Sequence, residues 1–123
     1  MQKVLLIDND EMSLMAVEQA LENQGYRVLS TADGPAGVAL YREQHPDLVL
    51  LDIGLPSMSG TDVLREIRTY DPKARIIVVT AYSSLENRLL ALRYGACDFM
   101  EKPVTTEELL RRILTTLQTV RVR

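Results

Sequence analysis

Five short apolar runs recur along the chain at similar intervals: "KVLLI" (3–7), "YRVLS" (26–30), "DLVLL" (47–51), "ARIIVV" (74–79) and "CDFM" (97–100). Most are continuously apolar rather than alternating, the pattern of strands covered on both faces of a parallel sheet. The polar interruptions of "YRVLS" suit an edge strand. Between the runs lie helical patterns with recognisable ends. Leu14, Val17 and Leu21 share one helical face, and Gly25 follows where a left-handed cap stops the helix. Pro35 falls in the first turn of a second helix. Ser59-Gly60-Thr61-Asp62 resembles a capping box and opens a helix carrying Val63, Leu64 and Ile67. Ser83-Ser84-Leu85-Glu86 and Thr105-Thr106-Glu107-Glu108 fit that box fully. They lead into core-facing stripes of Leu85, Leu89 and Leu92, and of Leu109, Ile113 and Leu117.

A repeated strand–helix unit this short connects through right-handed crossovers and builds a parallel sheet with helices on both faces. The expected fold is α/β, a flavodoxin-like doubly wound sheet of five parallel strands in the order 2-1-3-4-5 with five helices. Half of a dinucleotide-binding fold would need GxGxxG after the first run, and none is present. No linker interrupts residues 1–123, so one domain is expected, its last helix ending near residues 118–120.

Composition narrows the picture. A chain of 123 residues, 46% hydrophobic and 25% charged, suits one globular domain with a sizeable core. A net charge of -3 argues against a nucleic-acid surface, and the late arginines Arg111, Arg112, Arg121 and Arg123 read as a solvated helix face. Cys97 is the single cysteine, with no CxxC or Cys/His cluster for zinc, so a reducing cytoplasm is expected. No run has the length of a membrane span. His45, next to Pro46, reads as a surface residue.

In an open α/β sheet, ligands bind beyond the carboxyl ends of the strands, near the point where strand order reverses. Asp8-Asn9-Asp10, Asp52, Thr80 and Glu101-Lys102-Pro103 stand at those ends. Asp8 and Asp52 would converge with Lys102 as the main nearby cation, and two carboxylates about 4 Å apart repel by roughly 4 kcal/mol at an effective dielectric of 20. Hard oxygen donors at that density suit Mg²⁺, or Mn²⁺, which retains waters and accepts a phosphate as a further ligand. Thr80 adds a hydroxyl and Lys102 a compact charge for a phosphoryl oxygen.

Four segments, "IDND", "LVLLDIGLPSMSG", "VVTAY" and "GACDFMEKPV", together resemble the receiver domain of two-component response regulators over essentially the whole chain. The resemblance implies that Asp52 accepts a phosphoryl group from a sensor histidine kinase or phosphotransfer protein, with Mg²⁺. It implies that Asp8, Asn9, Asp52 and the Gly54 carbonyl hold the metal. Lys102 would contact Asp52 and then the phosphoryl oxygen, while Thr80 and Phe99 form the switch pair. Gly54 and Tyr82 fall at positions that tune the phosphoryl lifetime, and a cis peptide is expected before Pro103. Activity would be limited to the domain's own phosphorylation and dephosphorylation, so it is not otherwise an enzyme.

By the same resemblance, output passes through the face of the fourth helix, fifth strand and fifth helix, with Arg88, Arg93, Tyr94, Asp98 and Arg111 as exposed contacts for a partner or a homodimer. A kinase would dock on the first helix and the loop after the fifth strand. Either a stand-alone receiver or one followed by an output domain after Arg123 fits this reading.

One departure stands out. The family usually carries two adjacent acids after the first strand, and the second position here is Asn9, an uncharged donor that predicts weaker Mg²⁺ binding. Asp10 either meets the dipole of the first helix or compensates at the metal. A pseudo-receiver interaction module with little metal-dependent phosphorylation is the alternative reading. A haloacid-dehalogenase-type phosphatase wants DxDx[TV] where this chain has "DNDEM", and a flavodoxin-like carrier wants a Ser/Thr-rich phosphate loop where this one is acidic.

Overall fold

The computed structural model describes residues 1–119. Arg121 and Arg123, read above as part of a basic helix face, lie outside the described residues. The chain alternates β1 (Lys3–Ile7), α1 (Glu11–Asn23), β2 (Arg27–Thr31), α2 (Gly34–Gln44), β3 (Leu48–Leu51), α3 (Gly60–Tyr70), β4 (Ile76–Thr80), α4 (Leu85–Arg93), β5 (Asp98–Glu101) and α5 (Thr106–Gln118). All strand pairs are parallel and the order is β2-β1-β3-β4-β5, as the sequence pattern predicts. Several strands begin later than their apolar runs. Before β4, for instance, the Ala74 N–H is spent on the Asp71 carbonyl in a turn, so pairing starts at Ile76.

The continuously apolar strands divide their side chains between two cores because successive residues point to opposite faces. Leu5, Ile7, Val49, Leu51, Ile76 and Val78 pack with Val38 and Tyr41 of α2 and Val63, Leu64 and Ile67 of α3. Val4, Leu6, Leu48, Leu50, Ile77 and Val79 pack on the other face with Leu21 of α1 and Leu109 and Ile113 of α5. Polar β2 lies at an edge, as expected.

Side-chain caps define the helix starts, with two corrections. Ser84, not Ser83, caps α4 by accepting the Asn87 N–H, which leaves the Ser83 hydroxyl to donate to Glu101 at 2.6 Å. Thr105 accepts the Glu108 N–H as a box requires, but the Glu108 carboxylate turns to Arg111 and Arg112. The larger correction concerns the α4 stripe. Leu85, Leu89 and Leu92 face outward at 71%, 57% and 62% exposure, and the buried residue of α4 is Ala91. Helical period identifies a stripe but not which way it faces, and here the inward side carries Arg88 and Ala91, three residues apart.

Gly60 is required at the start of α3. A Cβ there would lie 2.4 Å from the Ile53 Cα and 2.5 Å from the Asp52 carbonyl oxygen, so only glycine lets α3 begin against the strand end that carries Asp52.

Candidate functional site

Backbone bonds just past the sheet gather the polar strand ends. The Asp52 N–H donates to the Ile7 carbonyl at 2.9 Å, holding the end of β3 beside the end of β1, and the Lys102 N–H donates to the Thr80 carbonyl at 2.8 Å. The Lys102–Pro103 peptide is cis, as the resemblance implied.

At this carboxyl edge Asp52 is 7% exposed and Thr80 fully buried. Lys102 Nζ bridges the carboxylates, 2.8 Å from Asp8 Oδ2 and 3.0 Å from Asp52 Oδ2. The other Asp52 oxygen, Oδ1, accepts the Thr80 hydroxyl at 2.6 Å and the Gly54 N–H at 3.1 Å. Asp8 Oδ1 accepts the Asp10 N–H at 2.9 Å. Each carboxylate is thus held at both oxygens, in an orientation set before any ligand arrives.

The electrostatics are uneven. Burial pushes the Asp8 carboxyl above the usual carboxylate range, and its bonds to Lys102 and Asp10 only partly offset this. Burial acts on Asp52 in the same sense, but the bonds from Thr80, Gly54 and Lys102 outweigh it and hold that carboxyl below the usual range. Burial lowers Lys102, and the two carboxylates more than reverse it. Burial and pairing thus favour the charged forms of Asp52 and Lys102, and disfavour that of Asp8.

One ammonium facing two carboxylates, Asp52 buried and Asp8 half-buried, leaves a formal surplus of negative charge when both are ionised. The donor set therefore fits a divalent cation: hard carboxylate oxygens from Asp8 and Asp52, with the Gly54 carbonyl and the Asn9 amide oxygen available nearby in sequence. Among the described residues no group of three or more His, Cys, Asp or Glu could hold a metal, so any such centre must draw on neutral oxygens. Asn9 is exposed. Asp10 serves as the N-cap of α1, accepting the Ser13 N–H at 3.3 Å.

Gly54 and Tyr82 meet across the mouth of the site. A Cβ on Gly54 would fall 2.3 Å from the Tyr82 ring, so the glycine is what lets the ring lie there. Phe99 pairs with Val78 while Thr80 pairs with Glu101, which places Thr80 and Phe99 on the same face of adjacent strands, and Phe99 packs at the margin of the α2–α3 core. Sequence reasoning missed what covers that ring. The Arg88 guanidinium lies over it, 4.8 Å from the centroid. An arginine on a helix carries no local signal for such a contact.

Of the five residues proposed as exposed contacts, Arg93 and Arg111 are exposed, and Arg111 bonds Glu108. The other three are half-buried and engaged: Arg88 over Phe99, Tyr94 beneath Arg65, and Asp98 with Arg112 at 2.7 Å. These contacts form across elements and are invisible to periodicity.

A flavodoxin-like sheet with this acid, hydroxyl and lysine constellation at its carboxyl edge is the arrangement of a receiver module. The chain belongs to the response regulator receiver domain family, whose pattern it matches over residues 4–114. It is 36% identical over 110 residues to "Probable transcriptional regulatory protein TcrX" of Mycobacterium tuberculosis, covering 89% of this chain and 47% of that protein. A CheY-like receiver domain protein from Methanospirillum hungatei superposes with a TM-score of 0.93 at 36% identity, covering 95% of this chain and 94% of the other. The receiver domain of the Pseudomonas aeruginosa sensor histidine kinase PA1611, solved with a magnesium ion in its active-site cleft, superposes at 0.88 with 31% identity over 96% and 98% of the two chains. The chain spans about half the length of the curated relatives it matches. Among the described residues no helix is long and apolar enough to cross a membrane.

Proposed function

We propose that the domain is a phosphoacceptor switch phosphorylated on Asp52 by the phosphohistidine of a sensor kinase or phosphotransfer protein. The observation that carries this reading is the Asp52 carboxylate itself, fixed on one oxygen by Thr80 and Gly54 and on the other by Lys102. An Asp52 oxygen attacks phosphorus in line; as the O–P bond forms, the P–N bond of the phosphohistidine breaks and the imidazole departs. Asp8, Asn9, Asp52 and the Gly54 carbonyl would hold Mg²⁺, which offsets the charge on the equatorial phosphoryl oxygens when bound. Lys102, already shared between the carboxylates, is placed to follow the charge from Asp52 to a phosphoryl oxygen. Thr80 exchanges its bond to Asp52 for one to the phosphoryl group, and Phe99 follows on the neighbouring strand. Gly54 and Tyr82, in contact at the mouth, set how long the phosphoryl group survives water.

Phosphorylation shifts the population of the α4–β5–α5 face, the surface for an output domain or a homodimer. The exposed leucines of α4 supply apolar area there. Met12 and Met15 of α1, at 81% and 73% exposure, lie on the side where a kinase docks, and the reading places the domain in the cytoplasm.

Incubation with a small phosphodonor and Mg²⁺ is expected to add the mass of one phosphoryl group to the wild type and none to Asp52→Asn; gain by that variant would overturn the assignment. No gain by the wild type would favour the pseudo-receiver reading that Asn9 suggests. Asn9→Asp is expected to bind Mg²⁺ more tightly, by roughly tenfold for a second-acid gain worth about one pKa-unit equivalent. Equal affinities in a fluorescence or NMR titration would remove Asn9 from the metal site.

A further inference from the structure

Arg88 makes three contacts at once. Its guanidinium covers the Phe99 ring at 4.8 Å, its Nε donates to the Ser83 carbonyl at 3.3 Å, and its terminal nitrogen lies 3.6 Å from Glu101 Oε1. Ser83 in turn donates its hydroxyl to Glu101 at 2.6 Å. The segment between β4 and α4 is residues 81–84, so Ser83 stands only three residues beyond the Thr80 hydroxyl bonded to Asp52. Tyr82, between them, donates its N–H to that same Thr80 hydroxyl at 3.1 Å. A continuous set of bonds therefore runs from Asp52 through Thr80 and the β4–α4 loop to Arg88, and from Arg88 to the face of Phe99.

We infer that Arg88 is a positioning residue that latches the Phe99 ring to the β4–α4 loop and so ties ring position to the state of Asp52. The inference rests on the switch reading of Thr80 and Phe99 and names the link between them. When Thr80 exchanges Asp52 for a phosphoryl oxygen, the loop that carries the Ser83 carbonyl must move with it. Arg88 loses its anchor, and the cation over the ring is released with it. Charge and planarity both count: guanidinium stacks on an aromatic face and donates sideways to a carbonyl at once, which a lysine does less well.

Phe99 is the only phenylalanine in the chain, so ring-¹³C-labelled phenylalanine reports this one position. Spectra of unphosphorylated wild type, Arg88→Met and Arg88→Lys test the latch without any phosphorylation. Arg88→Met keeps the apolar stem and removes the cation. It is expected to shift the ring equilibrium about two- to fivefold, the range one exposed cation–π contact sustains, and Arg88→Lys is expected to recover part of the wild-type signal. A merely structural loss would lower the urea midpoint while leaving the native ring signal in place. Superimposable Phe99 signals in wild type and Arg88→Met would overturn the latch. The phosphodonor mass gain is measured on the same samples, so failure of Asp52 as acceptor is seen separately from failure of Arg88 as latch.

Discussion

Helices α3 and α4 are neighbours of similar length with similar serine caps, yet they are held in opposite ways. α3 buries Val63, Leu64 and Ile67 at 0–1% exposure, begins against the Asp52–Ile53 backbone at Gly60, and is tied at its far end where the Tyr41 hydroxyl donates to Asp71 at 2.7 Å. α4 buries Ala91 alone, turns three leucines outward, and meets the sheet through polar contacts of Arg88 and Ser83. Apolar burial scales with area, so α3 is bound to the core by large buried side chains, whereas α4 fully buries only Ala91 and adds half-buried side chains and a few exchangeable bonds. The lesson is a division of labour: one helix is fixed against the backbone that carries Asp52, and the other is held by far less buried apolar area. Segments that move in switching are drawn from the weakly held end of a structure.

Ile67→Ala is the largest test of the contrast. Removing a fully buried isoleucine from between α3 and the sheet is expected to cost about 2–5 kcal/mol, read from the urea midpoint. A cost near zero would mean that α3 is not anchored as described.

Tyr41→Phe tests the polar anchor of α3 at intermediate size. It removes one hydrogen bond to the Asp71 carboxylate, worth about 1.5–3 kcal/mol. Burial and the bond to Asp71 raise the Tyr41 phenol far above its ordinary value. A raised folded-state value keeps the proton on the native protein after the unfolded chain has lost it. The stabilisation is therefore full below about pH 10, the ordinary phenol value, and declines as pH rises from there toward the folded-state value. The gap between wild type and variant should be widest near neutrality and narrow above about pH 10; a gap that widens in alkali would contradict the assignment.

The sequence made the topology legible because short apolar runs alternating with helical patterns suit strands covered on both sides, and the absence of GxGxxG after the first run left the 2-1-3-4-5 order. Asp8, Asp52, Thr80 and Lys102 were legible for a related reason: they stand at or just past the carboxyl ends of the strands, where the sheet converges whatever the side chains do. The orientation of α4 was not legible. Leu85, Leu89 and Leu92 make as good a stripe as Leu109, Ile113 and Leu117, yet only the second stripe packs, with Leu109 and Ile113 at 3% and 0% exposure. Facing depends on what the sheet offers opposite, here the ring of Phe99, which accepts Arg88 rather than a leucine. Ser83 was misread for a similar reason, since its partner Glu101 lies 18 residues away on another strand.

The smallest expected effect sharpens the comparison most. Leu89→Gln and Leu92→Gln remove apolar side chains that are already more than half in water, so each is expected to change stability by no more than about 0.5 kcal/mol. Ile67→Ala and Leu89→Gln both alter an aliphatic residue in mid-helix, and an intrinsic propensity difference of a few tenths of a kcal/mol cannot separate them. Only facing can. Comparable losses would place the α4 stripe against the core, as helical period alone had it. A flat urea curve for the Leu89→Gln/Leu92→Gln double variant, together with unchanged phosphoryl mass gain, leaves the stripe one remaining use, contact with another surface. Sedimentation of the phosphorylated wild type against the phosphorylated double variant then reads whether that surface is a second copy of the chain: a wild type that self-associates where the double variant stays monomeric assigns it, and two monomers direct the stripe to a different partner.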